Sequence, residues 1–247
     1  MEQQAGPVVV ETRSLKKSYG AVHAVKGVDF KLRQGEVIGL IGDNGAGKTT
    51  FIRMLSGAEQ PTGGEILFGD TPVDLKSPRD AMALGVETIH QYNSTVSSMT
   101  IAQNIYLGRE ILTWSIGGFG FLNKSRMREN AEDALAKVGF HLRSPNASVG
   151  ALSGGQRQGV AIARALQFEA KIMILDEPTN HISVKETNNV LAFTRQLPER
   201  GYSGIFISHN LNHVFETCSR IVVMSRGHVV ADRLTSEFSV SEIEDLL

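Results

Sequence analysis

The sequence contains a single cysteine, Cys218, so no disulfide can form within one copy of the chain, which fits a reducing compartment. Cys218 follows the helix-like Val214-Phe215-Glu216-Thr217, where a thiol packs as a small apolar group rather than reacts. No run reaches the roughly 20 apolar residues that a membrane-spanning helix needs. The longest, Ile111 to Leu122, is interrupted by Ser115, Gly117, Gly118 and Gly120 and reads as a loop with an apolar surface. The start, Met1 to Pro7, lacks the basic-then-apolar order of a secretion signal, so the isolated chain is expected to be soluble and cytosolic. A net charge of −1 gives no general attraction for a phosphate backbone, and no nucleic-acid partner is expected. Internal repeats are absent, which excludes two tandem copies of one module. Apolar residues are present in quantity: 41% of 247 residues is ample for the core of one large domain or of two intimately packed lobes, and excludes wholesale disorder.

The chain falls into three stretches. An N-terminal group of β-rich runs, Val8 to Thr12, Val25 to Leu32, Glu36 to Ile41 and Glu65 to Phe68, is punctuated by glycines and suggests a small, largely antiparallel sheet. From about Thr100 to Gly150 the pattern is helical. Thr100 is placed to cap Ile101 to Leu107, and Lys124 to Val138 carries apolar residues at helical spacing before Gly139 stops it. The third stretch alternates strand and helix: Lys171 to Leu175, Val184 to Leu197, Gly204 to Ile207, Leu211 to Thr217 and Ile221 to Met224. That alternation predicts a mainly parallel sheet. Ser239 and Glu242 have capping-box spacing ahead of a short terminal helix, Ile243 to Leu247.

The chemistry is concentrated in Gly42-Asp43-Asn44-Gly45-Ala46-Gly47-Lys48-Thr49-Thr50, which joins strand-like Val37 to Ile41 to helix-like Phe51 to Leu55. Glycines let successive amides converge on phosphate oxygens, and the helix start behind them adds partial positive charge. Lys48 supplies a full charge for the outer phosphates, and Thr49 is placed to ligate a bridging magnesium ion. Lysine, hydroxyl and both flanking elements agree, so a bare glycine-rich turn is the poorer reading, and the chain is expected to bind a nucleoside triphosphate. The apolar run Ile172 to Leu175 ends in Asp176-Glu177; a buried parallel strand delivers such carboxylates to the sheet edge where the phosphate loop lies. There Asp176 suits the magnesium shell and Glu177 the general base, whereas in isolation the pair would be only an acidic turn before Pro178. Leu152-Ser153-Gly154-Gly155-Gln156 opens a second helix, Arg157 to Leu166, with Ser153 as cap and glycine-bared amides able to approach an anion. A lone Ser-Gly-Gly of this kind is otherwise a loop and a helix start.

Together these residues resemble the nucleotide-binding subunits of the ATP-binding cassette (ABC) transporters. There LSGGQ is the signature sequence, specific when it lies between a phosphate loop and an apolar strand ending in Asp-Glu, and the resemblance covers nearly the whole chain. It implies an α/β fold, the P-loop NTPase fold of ABC ATPases, with a RecA-like mixed-sheet core, an antiparallel β subdomain and a helical signature subdomain. One ABC ATPase domain over 1–247 is implied, with 8–98 and 165–247 as β subdomain and core lobe and about 99–164 as helical subdomain. The resemblance assigns ATP to Gly42, Asp43, Asn44, Gly45, Ala46, Gly47, Lys48, Thr49 and Thr50, and adenine to Tyr19, which alone would be a surface or edge tyrosine. It assigns Mg²⁺ to Thr49, Gln91 and Asp176, and catalysis to Glu177, His209, Gln91 and Lys48, with His209 reaching the γ-phosphate. His90, His181 and His213 read as structural. Ser153, Gly155 and Gln156 of one copy would close over ATP held by another, giving a head-to-tail homodimer that opens after hydrolysis and moves membrane permease subunits. The implied location is the cytoplasmic face of the inner membrane, peripherally bound, with a sugar-binding protein as indirect partner.

Cassette proteins usually carry an aspartate where this chain has Ser183, so an aspartate's cross-dimer contacts are expected to be weakened or made by a hydroxyl. Glu177-Pro178-Thr179, Val184-Lys185-Glu186, Asn104 to Glu110 and Ile207 to Asn210 resemble monosaccharide-import subunits of the ribose and fructose kind; a single cassette looks like the shorter fructose type. Asp176 to His181 also reads like the soluble ABC factors that act on the ribosome. Those normally hold two cassettes and a charged linker, neither of which is present. A non-hydrolysing ATP-dependent clamp is a third reading, which Glu177 opposes.

Overall fold

The computed structural model describes residues 6–90, 95–116, 119–138, 144–168 and 170–247. Gln91, the helix stop Gly139, and Gly117 and Gly118 lie outside them. In chain order the elements are β1 (Val8–Tyr19), β2 (Val22–Arg33), β3 (Val37–Ile41), α1 (Lys48–Leu55), β4 (Gly63–Phe68), β5 (Thr71–Val73), α2 (Pro78–Ala83), β6 (Val86–Ile89), α3 (Ile101–Ile105), β7 (Leu112–Ile116), β8 (Phe119–Leu122) and α4 (Lys124–Val138). They continue with α5 (Gly154–Gln167), β9 (Ile172–Asp176), α6 (Val184–Arg195), β10 (Ser203–Ile207), α7 (Leu211–Thr217), β11 (Arg220–Ser225), β12 (His228–Leu234) and α8 (Val240–Leu246).

The described chain divides into two compact units: Met1–Thr88 with Ala170–Glu177 and Leu191–Leu247, and Ile89–Glu169 with Pro178–Val190. The first holds both large sheets. One is four-stranded in the order β2-β1-β4-β5, and all three of its pairings are antiparallel. The other is six-stranded, β12-β11-β3-β10-β9-β6, in which β11, β3, β10 and β9 run parallel and β12 joins antiparallel. Strands β3 and β10 are buried along their whole length, as the unbroken apolar runs of a sheet covered on both faces require. Phe30, Leu40, Phe51, Ile52, Met54, Ile174 and Met224 belong to a single core cluster between the sheets and α1. Cys218 is in this unit, buried, and burial pushes its thiol up to about 12, so it is an inert packing group.

Two elements are longer than the sequence pattern alone suggests. β1 and β2 each extend to twelve residues, because the ladder absorbs a register shift between Thr12 and Leu15. At that bulge Ser14 takes φ 46°, and its N–H donates to Asp29 Oδ1 at 2.6 Å.

The second unit is largely helical. α4 packs along α5, and α3 contacts both, burying Ile101, Ile105, Met127, Ala131, Leu135, Val160 and Ile162. Thr100 caps α3, its hydroxyl accepting from Gln103 N at 3.2 Å. Within the apolar stretch from Ile111 to Leu122, which the sequence reads as a loop, β7 and β8 pair antiparallel. Gly120, which reads as a breaker, is there because a Cβ would lie 2.1 Å from the Trp114 carbonyl across the pair.

Candidate functional site

In the first unit β3, β10 and β9 are neighbours and parallel, with Ile207 level with Leu40 on one side and Asp176 on the other. Their carboxyl ends therefore emerge at one edge of the sheet. From β3 issues the glycine-rich loop, from β9 the Asp176-Glu177 pair, and from β10 Ser208 and His209. The loop reaches α1 through Gly47, whose φ of 101° is open only to glycine and whose Cβ would lie 2.5 Å from the Ala24 carbonyl. Because the N-cap is a glycine, α1 has no side-chain cap, and no acidic residue occupies its first turn. Its leading amides are left to an anion from outside the chain.

Lys48 is half-buried and turns back over the loop, its ammonium donating to the Gly42 carbonyl and, at 3.0 Å, to the Asp43 carbonyl. Burial lowers its pKa, and Glu177, Asp43 and Asp176 act against that shift, which places all three carboxylates within electrostatic reach of the ammonium. Asp43, Asn44, Gly45 and Thr49 are exposed, Gly47 and Thr50 half-buried, and Gly42 and Ala46 buried. Glu177 has the left-handed φ of 49°, uncommon for a residue with a Cβ, while its N–H donates to the Ile207 carbonyl at 3.0 Å. That turn brings the carboxylate to His209, with Nδ1 and Oε2 3.0 Å apart. The carboxylate is largely buried and the imidazole 70% exposed, so the histidine faces outward from an anchored glutamate. Tyr19 ends β1 with 46% of its surface exposed, its hydroxyl donating to Glu59.

The sequence-predicted anion site at the start of α5 lies in the other unit. Ser153 caps α5 in a box with Gln156: its hydroxyl accepts from Gln156 N at 3.2 Å, and Gln156 Oε1 accepts from Ser153 N at 3.0 Å. Glu186, which the sequence reading gave no place in the site, lies against these residues. Its carboxylate accepts from the Ser153 hydroxyl, and that bond together with Ser183 holds its pKa below the usual carboxylate range despite partial burial. A Cβ on Gly155 would sit 2.3 Å from Glu186 Cδ, so the glycine there makes room for the carboxylate.

The ABC transporter family model matches residues 25–180 of this chain. This chain belongs to that family. The cassette is 40% identical over 239 residues to the xylose/arabinose import ATP-binding protein XylG of Sulfolobus acidocaldarius, covering 97% of this chain and 93% of that protein. It is 39% identical over 237 residues to the fructose import ATP-binding protein FrcA of Rhizobium meliloti, covering 95% and 91%. A dimeric ATP-binding cassette in a post-hydrolysis state, bound to ADP and Pi, superposes with a TM-score of 0.77 at 23% identity, covering 93% of this chain and 100% of that one, a likeness of fold. The mixed sheet, the antiparallel sheet and the largely helical unit are those of an ABC ATPase.

Ser183 has a definite local task in this cassette. Its hydroxyl donates to Glu186 Oε2 at 3.0 Å and accepts from Glu186 N at 3.4 Å, while Ser183 N donates to the same carboxylate at 3.1 Å. This is a capping box at the start of α6, written in the sequence as serine followed three residues later by glutamate. Ser183→Ala is expected to cost about 0.5–2 kcal/mol of stability, the range for losing an N-cap. The measurement is a urea midpoint at unchanged slope; a midpoint equal to wild type would show that α6 needs no cap there.

Proposed function

We propose that this cassette is the ATP-hydrolysing subunit of a monosaccharide importer and works as a head-to-tail pair with ATP and Mg²⁺ held between copies. The observation that carries the enzymatic part is the convergence of Lys48, Asp176, Glu177 and His209 at the ends of three adjacent parallel strands. The amides of the loop and of uncapped α1 receive the β- and γ-phosphates, and Lys48 turns from its own carbonyls to them. The exposed Thr49 hydroxyl and the Asp176 carboxylate are the hard oxygens that Mg²⁺ accepts. Among the described residues no cluster of three or more His, Cys, Asp or Glu side chains forms a metal cage. The ion would therefore draw its remaining ligands from phosphate and water, as Mg²⁺ commonly does. Bound there, it neutralises charge on the phosphate oxygens. Gln91 is proposed as a further ligand from the family resemblance and lies outside the described residues.

In this reading Glu177 accepts the proton of the water that adds to the γ-phosphorus while the bond from that phosphorus to the β–γ bridging oxygen breaks and ADP leaves, and His209 orients that water and the γ-phosphate from the other side of the hydrogen bond it shares with Glu177. Ser153, Gly155 and Gln156 close on the nucleotide of the opposite copy. Glu186 occupies the Ser153 hydroxyl in the single chain, so its carboxylate gives way when a phosphate takes that donor.

The two relatives named above are xylose/arabinose and fructose import ATP-binding proteins, which supports a monosaccharide cargo and favours import over the ribosomal alternative. The expected partners are permease subunits at the cytoplasmic face of the inner membrane and, indirectly, a sugar-binding protein. Copurification of the tagged chain from its native membranes is expected to recover a polytopic permease. Recovery with ribosomes and without a permease would overturn the import reading.

A further inference from the structure

Tyr19 is held from below as well as offered to solvent. Its hydroxyl donates to Glu59, a residue of the turn that follows α1. Glu59 is itself tied to that helix twice: its N–H donates to the Arg53 carbonyl at 3.0 Å, and its other carboxylate oxygen accepts from Arg53 Nη1 at 3.1 Å. Lys17 lies over the Tyr19 ring, 5.2 Å from its centroid, and is pinned there by the Gln60 carbonyl at 2.7 Å and by Glu59 at 3.8 Å. One face of the ring is thus covered, and the opposite face is left for a flat ligand. Burial raises the phenol's pKa and Glu59 adds to it, so the hydroxyl stays a donor; burial also raises Glu59, but the phenol and Arg53 outweigh it and keep the carboxylate ionised.

We infer that Glu59 is a positioning residue for the base of the bound nucleotide: by holding Tyr19 to α1 it sets the stacking face at a constant distance from the phosphate loop, which opens that same helix. This rests on the reading of Tyr19 as the adenine platform. The ring sits at the end of a long strand in the antiparallel sheet, whereas the phosphate loop issues from the mixed sheet. Without a tie between Tyr19 and α1, base and triphosphate would be received by parts free to shift against one another, and part of the binding free energy would be lost to ordering them. A donor shared with an ionised carboxylate also makes the phenol ring richer in electrons, which favours both the ammonium on one face and an electron-poor purine on the other.

The test compares ATP with inorganic tripolyphosphate, a ligand with no base, by titration calorimetry on the full chain with Mg²⁺. Glu59→Ala and Tyr19→Phe are each expected to weaken ATP about three- to tenfold, the range for one hydrogen bond, and to leave tripolyphosphate unchanged. The double variant is expected to be no weaker than the worse single one, since both remove the same interaction. Wild-type ATP affinity in Glu59→Ala, multiplicative losses in the double variant, or equal losses for both ligands would each overturn the role given to Glu59. Tyr19→Ala serves as the separate control: an ATP affinity equal to wild type would mean that the ring does not stack on the base at all, and the adenine assignment fails before Glu59 is considered.

Discussion

Glu177→Gln is expected to lower ATP turnover by roughly 10²–10⁴-fold, the range for losing a general base, while ATP still binds. The amide matches the carboxylate in size and can keep a hydrogen bond to His209, so the turn after β9 has no reason to change. It cannot accept a proton from the attacking water. Glu177 already holds a left-handed backbone conformation that costs on the order of 1–3 kcal/mol for a residue with a Cβ. That cost places the carboxylate beside His209 and within reach of Lys48. Phosphate release and nucleotide binding, measured on the same preparation, separate the two functions. Near-normal hydrolysis would remove Glu177 from the role of base and move attention to His209.

Lys48→Ala is expected to weaken ATP binding by about 1.5–3 kcal/mol, the contribution of a hydrogen bond to a charged group, or about tenfold to a hundredfold in affinity. In the wild type the ammonium is held on carbonyl oxygens of its own loop, so the bonds to phosphate replace bonds it already makes, and the lower half of that range is favoured. A pH signature accompanies the loss. Burial lowers the Lys48 pKa, and the protonated form is the one that binds phosphate, so wild-type affinity is expected to fall on the alkaline side as pH passes through that lowered value. The alanine variant should lack that limb of the profile. Unchanged affinity with the limb intact would contradict the phosphate-loop assignment.

Much of the architecture is legible in local pattern. The caps at Thr100, Ser153 and Ser239, and the periodicity of Lys124 to Val138, mark their helices because capping and amphipathicity act over three or four residues. The apolar runs that become β3, β9 and β10 are similarly plain. β5, α2, β6 and β12 are missed. β5 is three residues long, β6 four and α2 six, too short for a pattern to stand out, and β12 is an exposed antiparallel edge. The antiparallel pair β7–β8 is misread for a different reason. Gly120 counts as a breaker in a linear reading, yet it is required by the approach of the Trp114 carbonyl from the paired strand. Trp114 and Phe121, 5.6 Å apart between ring centroids, then lie on one exposed surface.

From sequence alone a triphosphate-binding loop is expected, because a phosphate loop is a local device: its glycines, Lys48 and the start of α1 occupy consecutive positions. The side chains that surround that device belong to the tertiary structure. Glu177 meets His209 because β9 and β10 run side by side, Tyr19 meets Glu59 because β1 ends beside the turn after α1, and Ser153 meets Glu186 because the second unit folds the residues after Glu177 against α5. Each pair joins residues more than thirty positions apart, and no spacing along the chain records a contact made by the folding of separate elements.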